Sequence, residues 1–278
     1  MNPKNSCISF LKDFRQISDL RKKDVLVVYS SVPANVDENI SNFLLRFLCE
    51  AERNRYHNFR INKDRFLFLY SRSLLRATLS KYRAVNPVDW EFRKNEFGKP
   101  EISSPGCSPP IHFNISHTTG LVAVAVSLTK MIGIDVECKR NLLNYLSISN
   151  RFFSPKEAEE LKSIEDPFIQ QRRFTEYWTL KEAYIKARGV GLSLSLDQIC
   201  FQFDDSGYFN AEFGLDLQDD TKKWKFIQFH PSDLHCIAVA VNNGSHQDMS
   251  FKFLEVLSVE DELQKFDLHN NSVATHED

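Results

Sequence analysis

Residues 121–137 read L-V-A-V-A-V-S-L-T-K-M-I-G-I-D-V-E, and their reading decides the fold. The first seven are too few and too rich in β-branched side chains to favour a helix, so they predict a strand. A tight turn near Lys130 then leads into a second strand, most simply as a hairpin. Strand side chains alternate between two faces, which puts Asp135 and Glu137 on the same side. Such a pair is either an exposed polar face or half of a hard-cation site. Mg²⁺ takes oxygen ligands, commonly one or two carboxylates completed by water and phosphate. The choice depends on whether the chain supplies a third carboxylate and cations for the phosphate.

Upstream, residues 111–128 are strand material, preceded by a loop over 97–110 rich in Gly, Pro and Ser, which is expected to order against a ligand. Residues 62–83 have helical spacing, with Phe66, Leu69, Tyr70, Leu74 and Leu79 as an inward stripe and Arg65, Arg72 and Arg76 on the polar remainder. Residues 37–56 also carry apolar positions at helical spacing, and 25–30 (V-L-V-V-Y-S) form a short strand. Trp90 and Phe92 suggest another.

Downstream, Ser154-Pro155-Lys156-Glu157 is a capping box with Pro at the first helical position. A further helix is expected from about Gln171 to Ala187, ending near Gly189, with Trp178, Glu182 and Ile185 on one face. Strand pattern resumes after Gly191, with turns at 204–207 and 242–244. A faint echo links 115–126 with 233–241, each placing a His before an apolar strand.

Glu182 is a candidate third carboxylate, and Lys186 follows it by four residues. Alone they could be an ordinary i,i+4 helix pair. His117 could be a polar residue at a strand start, and Lys99, in G-K-P, a loop-tip charge. Jointly the chemistry is more specific. Three carboxylates concentrate negative charge, which a cation would relieve, and His117, Lys186 and nearby Arg or Lys side chains could neutralise a phosphate.

At 278 residues the chain can bury a good core, as one large domain or two small ones. The formal net charge of -2 gives no reason to expect nucleic acid. The charge is uneven, however: residues 51–94 hold eleven Lys/Arg against four Asp/Glu, and 255–278 hold seven acids against one Lys. Six scattered Cys with no CxxC pair imply reduced thiols and a cytoplasmic setting. The start M-N-P-K has no long apolar run, which argues against a secretory signal, and no segment approaches the roughly 20 apolar residues that span a bilayer.

The chain resembles the 4'-phosphopantetheinyl transferases of the surfactin-synthetase-activating type, including cyanobacterial and broad-specificity members. The matching pieces are F-G-K-P (97–100), F-N-I-S-H (113–117), G-I-D-V-E (133–137), R-F-F-S-P-K-E (151–157) and W-T-L-K-E-A-Y-I-K-A-R-G-V-G-L-S (178–193), in the family's order across the central half. The Arg-rich helix ending L-L-R at Arg76 also fits.

The resemblance implies an α+β fold, a pseudo-twofold pair of similar α/β subdomains with the active site in the cleft between them. The implied division is 1–130 for the first subdomain, 131–254 for the second with the metal ligands, and 255–278 for a flexible or loosely docked acidic extension. It implies Mg²⁺-dependent transfer of 4'-phosphopantetheine from coenzyme A to a serine of an apo carrier protein, releasing adenosine 3',5'-bisphosphate. Asp135, Glu137 and Glu182 would bind Mg²⁺ and the pyrophosphate. Glu182 would accept the serine proton, with Glu137 or a metal-bound water as the alternative, and Lys186 would contact the pyrophosphate. Ser116 and His117 would meet the 3'-phosphate, Lys99 the nucleotide or phosphates, and Arg53 and Arg55 would add basic contacts to coenzyme A. Lys181 reads as either a structural ion pair or a phosphate contact, and Trp178 as a core anchor. The partner would be an acyl, peptidyl or polyketide carrier protein, with no nucleic acid or membrane involved. With both halves in one chain a monomer could complete the site. The alternative is a carrier-protein or coenzyme A binding module without turnover. A general Mg²⁺-nucleotide or nucleic-acid binder lacks a recognisable phosphate loop.

Overall fold

Alternating apolar residues on the central strands face two different layers, and this organises the whole chain. The computed structural model describes residues 7–13, 23–34, 37–139, 144–191, 194–244 and 249–274. The strands are β1 (Cys7–Phe10), β2 (Asp24–Ser31), β3 (Glu91–Lys94), β4 (Pro100–Ser104), β5 (His112–Thr118), β6 (Leu121–Ser127), β7 (Ile132–Cys138), β8 (Ile199–Phe203), β9 (Phe209–Phe213), β10 (Trp224–Ser232), β11 (His235–Asn242) and β12 (Ser250–Glu255). The helices are α1 (Glu38–Leu45), α2 (Glu50–His57), α3 (Asn62–Tyr82), α4 (Tyr145–Phe152), α5 (Pro155–Ser163), α6 (Pro167–Arg188) and α7 (Val259–Ala274). The mixture is α+β, as the resemblance implied.

One sheet has the order β1-β12-β2-β6-β5 and a second the order β10-β11-β7, with β3-β4 and β8-β9 as separate ribbons. On β6, Val122, Val124 and Val126 turn toward α3, while Leu121, Ala123 and Ala125 turn toward the second sheet. There they meet Ile132, Ile134 and Val136 of β7 and Ile237, Val239 and Val241 of β11. Ala238 and Ala240, on the other face of β11, pack under α6. In each sheet a three-strand antiparallel unit, β2-β6-β5 or β10-β11-β7, thus lies beneath one long helix.

Three expectations change. The segment 121–137 is not a hairpin: β6 pairs with β2 and β5, and β7 pairs with β11. Both strands carry a fully apolar face, and these faces pack against each other across the sheets, where a hairpin would have joined their edges. Within the 97–110 loop, Pro100–Ser104 is ordered as β4 against β3. Arg76 is not on an outer polar face but fully buried, paired with Glu52 at 2.7 Å, and Arg72 also pairs with Glu52. That carboxylate ties α2 to α3.

At the C-terminus, β12 returns to the first sheet between β1 and β2, and α7 buries Val259 and Leu263 in the first core. Val256, Val259 and Leu263 recur at near-helical spacing, which gives this acidic end an apolar seam. Its last four residues, and positions 192 and 193 of the quoted motif, lie outside the described residues.

The helix expected over 62–83 is α3, whereas 37–56 divides into α1 and α2 and α6 starts at Pro167, ahead of the expected Gln171. The stripe Phe66, Leu69, Tyr70, Leu74 and Leu79 is buried. Ser154 and Glu157 form the reciprocal capping box, and α6 ends at Gly189 in the left-handed conformation at φ 67°. Five described cysteines, Cys49, Cys107, Cys138, Cys200 and Cys236, are free. No described helix is long and apolar enough to cross a membrane.

Candidate active site

The site forms where α6 crosses β7, and Gly133 sets how closely they approach. A Cβ at Gly133 would lie 2.1 Å from the Ala183 carbonyl oxygen and 2.3 Å from the Ala187 nitrogen, so the strand touches the helix backbone itself. Asp135 pairs with Lys186 at this crossing, and Glu137 lies near enough to Trp178 and Glu182 to feel both.

The opposite edge of β7 is held from the first sheet. Asn114 Oδ1 accepts the Ile134 N–H at 2.8 Å, and Ser116 Oγ accepts the Val136 N–H at 3.3 Å. Alternate side chains of β5 thus take the place of a backbone ladder on either side of Asp135.

Asp135 is buried. Its Oδ1 accepts from Ser116 Oγ at 3.0 Å and from Lys186 Nζ at 2.5 Å, while Oδ2 is buried without a hydrogen-bond partner. Lys186 Nζ also donates to Ser116 Oγ at 2.8 Å. Burial and then the Asp135 charge push Glu137 up to about 7, with Glu182 adding to the effect and Lys186 and Trp178 opposing it. Glu182 is raised by burial and then by Asp135, against Lys186. Among the described residues, no three His, Cys, Asp or Glu side chains are gathered closely enough to enclose an ion.

The donor chemistry nevertheless fits a hard divalent cation. The three acidic groups feel one another, all their donors are oxygens, and one oxygen of Asp135 is desolvated and unpartnered. Glu182 and Lys186 line a cleft of about 260 Å³ with Phe97, Gly98, Lys99 and Asn114.

The Ser116 hydroxyl donates to Asp135 and accepts from Val136 and Lys186, so its bonds organise the carboxylate cluster. His117, the next residue, keeps an exposed surface. The protein packed around it, then Lys186 and Arg55, hold its imidazole below the ordinary value, opposed by Asp135 and Asp64.

Lys99 borders the cleft, but its ammonium donates to the carbonyls of Ile132 at 2.9 Å and Ala187 at 3.2 Å. Burial lowers its pKa to about 8. It therefore fastens the G-K-P turn to β7 and the end of α6. Arg53 donates to the Leu48 carbonyl at 2.6 Å, and Arg55 lies 4.9 Å over the Phe68 ring.

Lys181 is fully buried in an ion pair with Glu157 at 2.7 Å and also donates to the Leu196 carbonyl. Since Glu157 accepts from Ser154 and Phe201 as well, this pair joins α5, α6 and β8.

Three contributors escaped pattern reading. Asn114 stands within F-N-I-S-H and Gly133 within G-I-D-V-E, and Trp178 reads as a core anchor. Trp178 does stack on Phe174 at 6.1 Å, and it also lies close enough to Glu137 to oppose the rise of its pKa. An Asn within a strand, where that residue is depleted, and a Gly in a strand interior are the available signals.

Comparison with known proteins gives consistent matches. A family model described as "4'-phosphopantetheinyl transferase superfamily" matches residues 131–240, and one described as "4'-phosphopantetheinyl transferase, N-terminal" matches 35–129. The chain is 32% identical over 215 residues to the 4'-phosphopantetheinyl transferase HetI of Nostoc sp., spanning 76% of this chain and 85% of that protein. A 4'-phosphopantetheinyl transferase of Bacillus subtilis is 32% identical over 185 residues, covering 66% of this chain and 79% of its own length. Among solved structures, a holo-(acyl-carrier-protein) synthase from Bacillus anthracis in complex with coenzyme A (3',5'-ADP) is 21% identical. Its TM-score is 0.34, covering 41% of this chain and 95% of that one.

Proposed function

The chain belongs to the 4'-phosphopantetheinyl transferase superfamily, and we propose that its chemistry is carried out where α6 crosses β7. It is an enzyme that transfers the phosphopantetheine group of coenzyme A to a carrier protein. The apposition of Asp135, Ser116 and Lys186 beside the Glu182-lined cleft is the observation that carries this reading.

In the proposed reaction the carrier serine oxygen attacks the phosphorus that bears pantetheine. The bond to the 5'-phosphate breaks, and adenosine 3',5'-bisphosphate departs. Asp135, Glu137 and Glu182 would hold Mg²⁺. When bound, the ion supplies positive charge to the pyrophosphate and its leaving oxygen. Lys186 reaches the same cleft and adds a hydrogen bond where charge develops on that oxygen. Glu182, which lines the cleft, takes the serine proton directly or through a water, with Glu137 as the alternative acceptor.

His117 and Arg55 face one another's charge and form the basic end offered to the 3'-phosphate, with Arg53 on the same helix as Arg55. Lys99 serves the nucleotide end by holding the wall it borders.

We place the boundary between halves near residue 130, with residues 250–255 counted in the first half because β12 pairs there. Ser116 and His117 come from one half and Asp135, Glu137, Glu182 and Lys186 from the other, so a monomer carries the whole set. The free cysteines suit a cytoplasmic setting.

The test is the mass of several apo carrier proteins incubated with enzyme, Mg²⁺ and coenzyme A. One phosphopantetheine addition is expected, absent when the acceptor serine is replaced. Glu182→Gln should lower the rate by about 10²–10⁴-fold if it is the base. No addition across a broad carrier panel, with coenzyme A still bound, would favour a binding module.

A further inference from the structure

Lys186 already neutralises the carboxylate that a metal would need. Its Nζ lies 2.5 Å from Asp135 Oδ1 and 2.8 Å from Ser116 Oγ, while Ser116 donates to the same Oδ1 at 3.0 Å. The two partners are held unequally. Asp135 has a side chain only 5% exposed, on a strand whose flanking N–H groups are tied to Asn114 and Ser116. The Lys186 side chain is 29% exposed and lies on the wall of the cleft. A lysine carries its charge on a flexible four-carbon stem, so the ammonium can move into the cleft while the carboxylate stays. The second oxygen, Oδ2, is buried and unpartnered.

We propose that Lys186 is a resident cation that competes with the divalent metal for Asp135, and that the pyrophosphate of coenzyme A draws it away. One lysine movement then couples metal binding to coenzyme A binding. This rests on the metal-site reading above and adds to it the order in which charges are exchanged. An ammonium at Oδ1 and a divalent ion at Oδ2 would share one counter-charge and repel each other across a single carboxylate, in a partly desolvated site. A metal offered alone must therefore work against Lys186. A pyrophosphate in the cleft offers the ammonium a second anion, and Asp135 becomes fully available. By linkage, each ligand strengthens the other by the same factor. Direct metal–pyrophosphate contact would also couple the two ligands. The effect particular to Lys186 is the weak binding of metal alone.

The test is Mn²⁺ binding without coenzyme A, read from the loss of the free-ion electron paramagnetic resonance signal, with circular dichroism to verify folding. Lys186→Met is expected to bind Mn²⁺ about 10-fold tighter than wild type, within the usual range of inter-site couplings, and to lose part of the gain that coenzyme A confers. Lys186→Arg keeps the charge and should stay near wild type, and Asp135→Asn should lose the site. Should Lys186→Met fail to fold, Lys186→Gln reads the same quantity. Equal Mn²⁺ affinity in wild type and the neutral variant, with Asp135→Asn still abolishing binding, overturns the resident-cation inference and leaves the metal site standing. Absence of Asp135-dependent Mn²⁺ binding even with coenzyme A present overturns the metal-site reading and this inference with it.

Discussion

The side-chain oxygen of Asn114 accepts the main-chain N–H of Ile134 at 2.8 Å, so an amide on the edge of one sheet replaces a backbone acceptor for the edge of the other. Both residues are buried, and the N–H has no water to turn to. Asn114→Ala should therefore cost about 1–3 kcal/mol, the usual penalty of a stranded buried donor, read as a fall in the denaturant midpoint. It should also slow transfer, because Ile134 precedes Asp135. An unchanged midpoint would mean that the bond carries no stability.

Gly133 admits no side chain. In Gly133→Ala the added carbon would meet backbone atoms of Ala183 and Ala187, which cannot rotate aside, so α6 must move off β7. Overpacking of this kind costs about 1–3 kcal/mol or more. Because α6 carries Glu182 and Lys186, transfer activity should drop by more than the loss of folded protein explains. Full activity per folded molecule would show that the close approach does not matter for the chemistry.

His117 gives a signed pH dependence. In the free protein its imidazole is held below the ordinary value of about 6.5 by burial, Lys186 and Arg55, so it is mostly neutral at pH 7. A phosphate beside it would raise that pKa, and binding would take up a proton. The His117 contribution to coenzyme A affinity is then largest below the free pKa and is lost as pH rises through the bound one. Dissociation constants between about pH 6 and pH 8 should weaken more steeply with pH for wild type than for His117→Gln. Parallel slopes would remove His117 from the phosphate end.

Much of the framework was legible because it rests on local periodicity. Phe66, Leu69, Tyr70, Leu74 and Leu79 face one way on any helix, and Ser154 with Glu157 caps a helix start wherever the helix lies. The misread features all depend on a distant partner. Arg76 reads as an outer charge until Glu52 is brought to it, and Lys181 is ambiguous until Glu157 is. The bonds of Ser116 to Asp135 and Lys186 likewise have no signal in local spacing. Strands β6 and β7 read as a hairpin because alternating apolar residues suit edge pairing and face-to-face packing equally well.

The sequence by itself determined that Asp135 and Glu137 share one side of a strand, and that Glu182 and Lys186 lie one turn apart on a helix. Both follow from covalent geometry, with periods of two and 3.6 residues that no tertiary contact alters. Only the tertiary structure decided that β7 leaves β6 for β11 and that Gly133 lets α6 close on the strand. It also decided that Ser116 and Lys186 meet at Asp135, across sequence separations of 19 and 51 residues. Such meetings depend on which apolar faces are buried against each other, and that is settled by the packing of the whole chain at once.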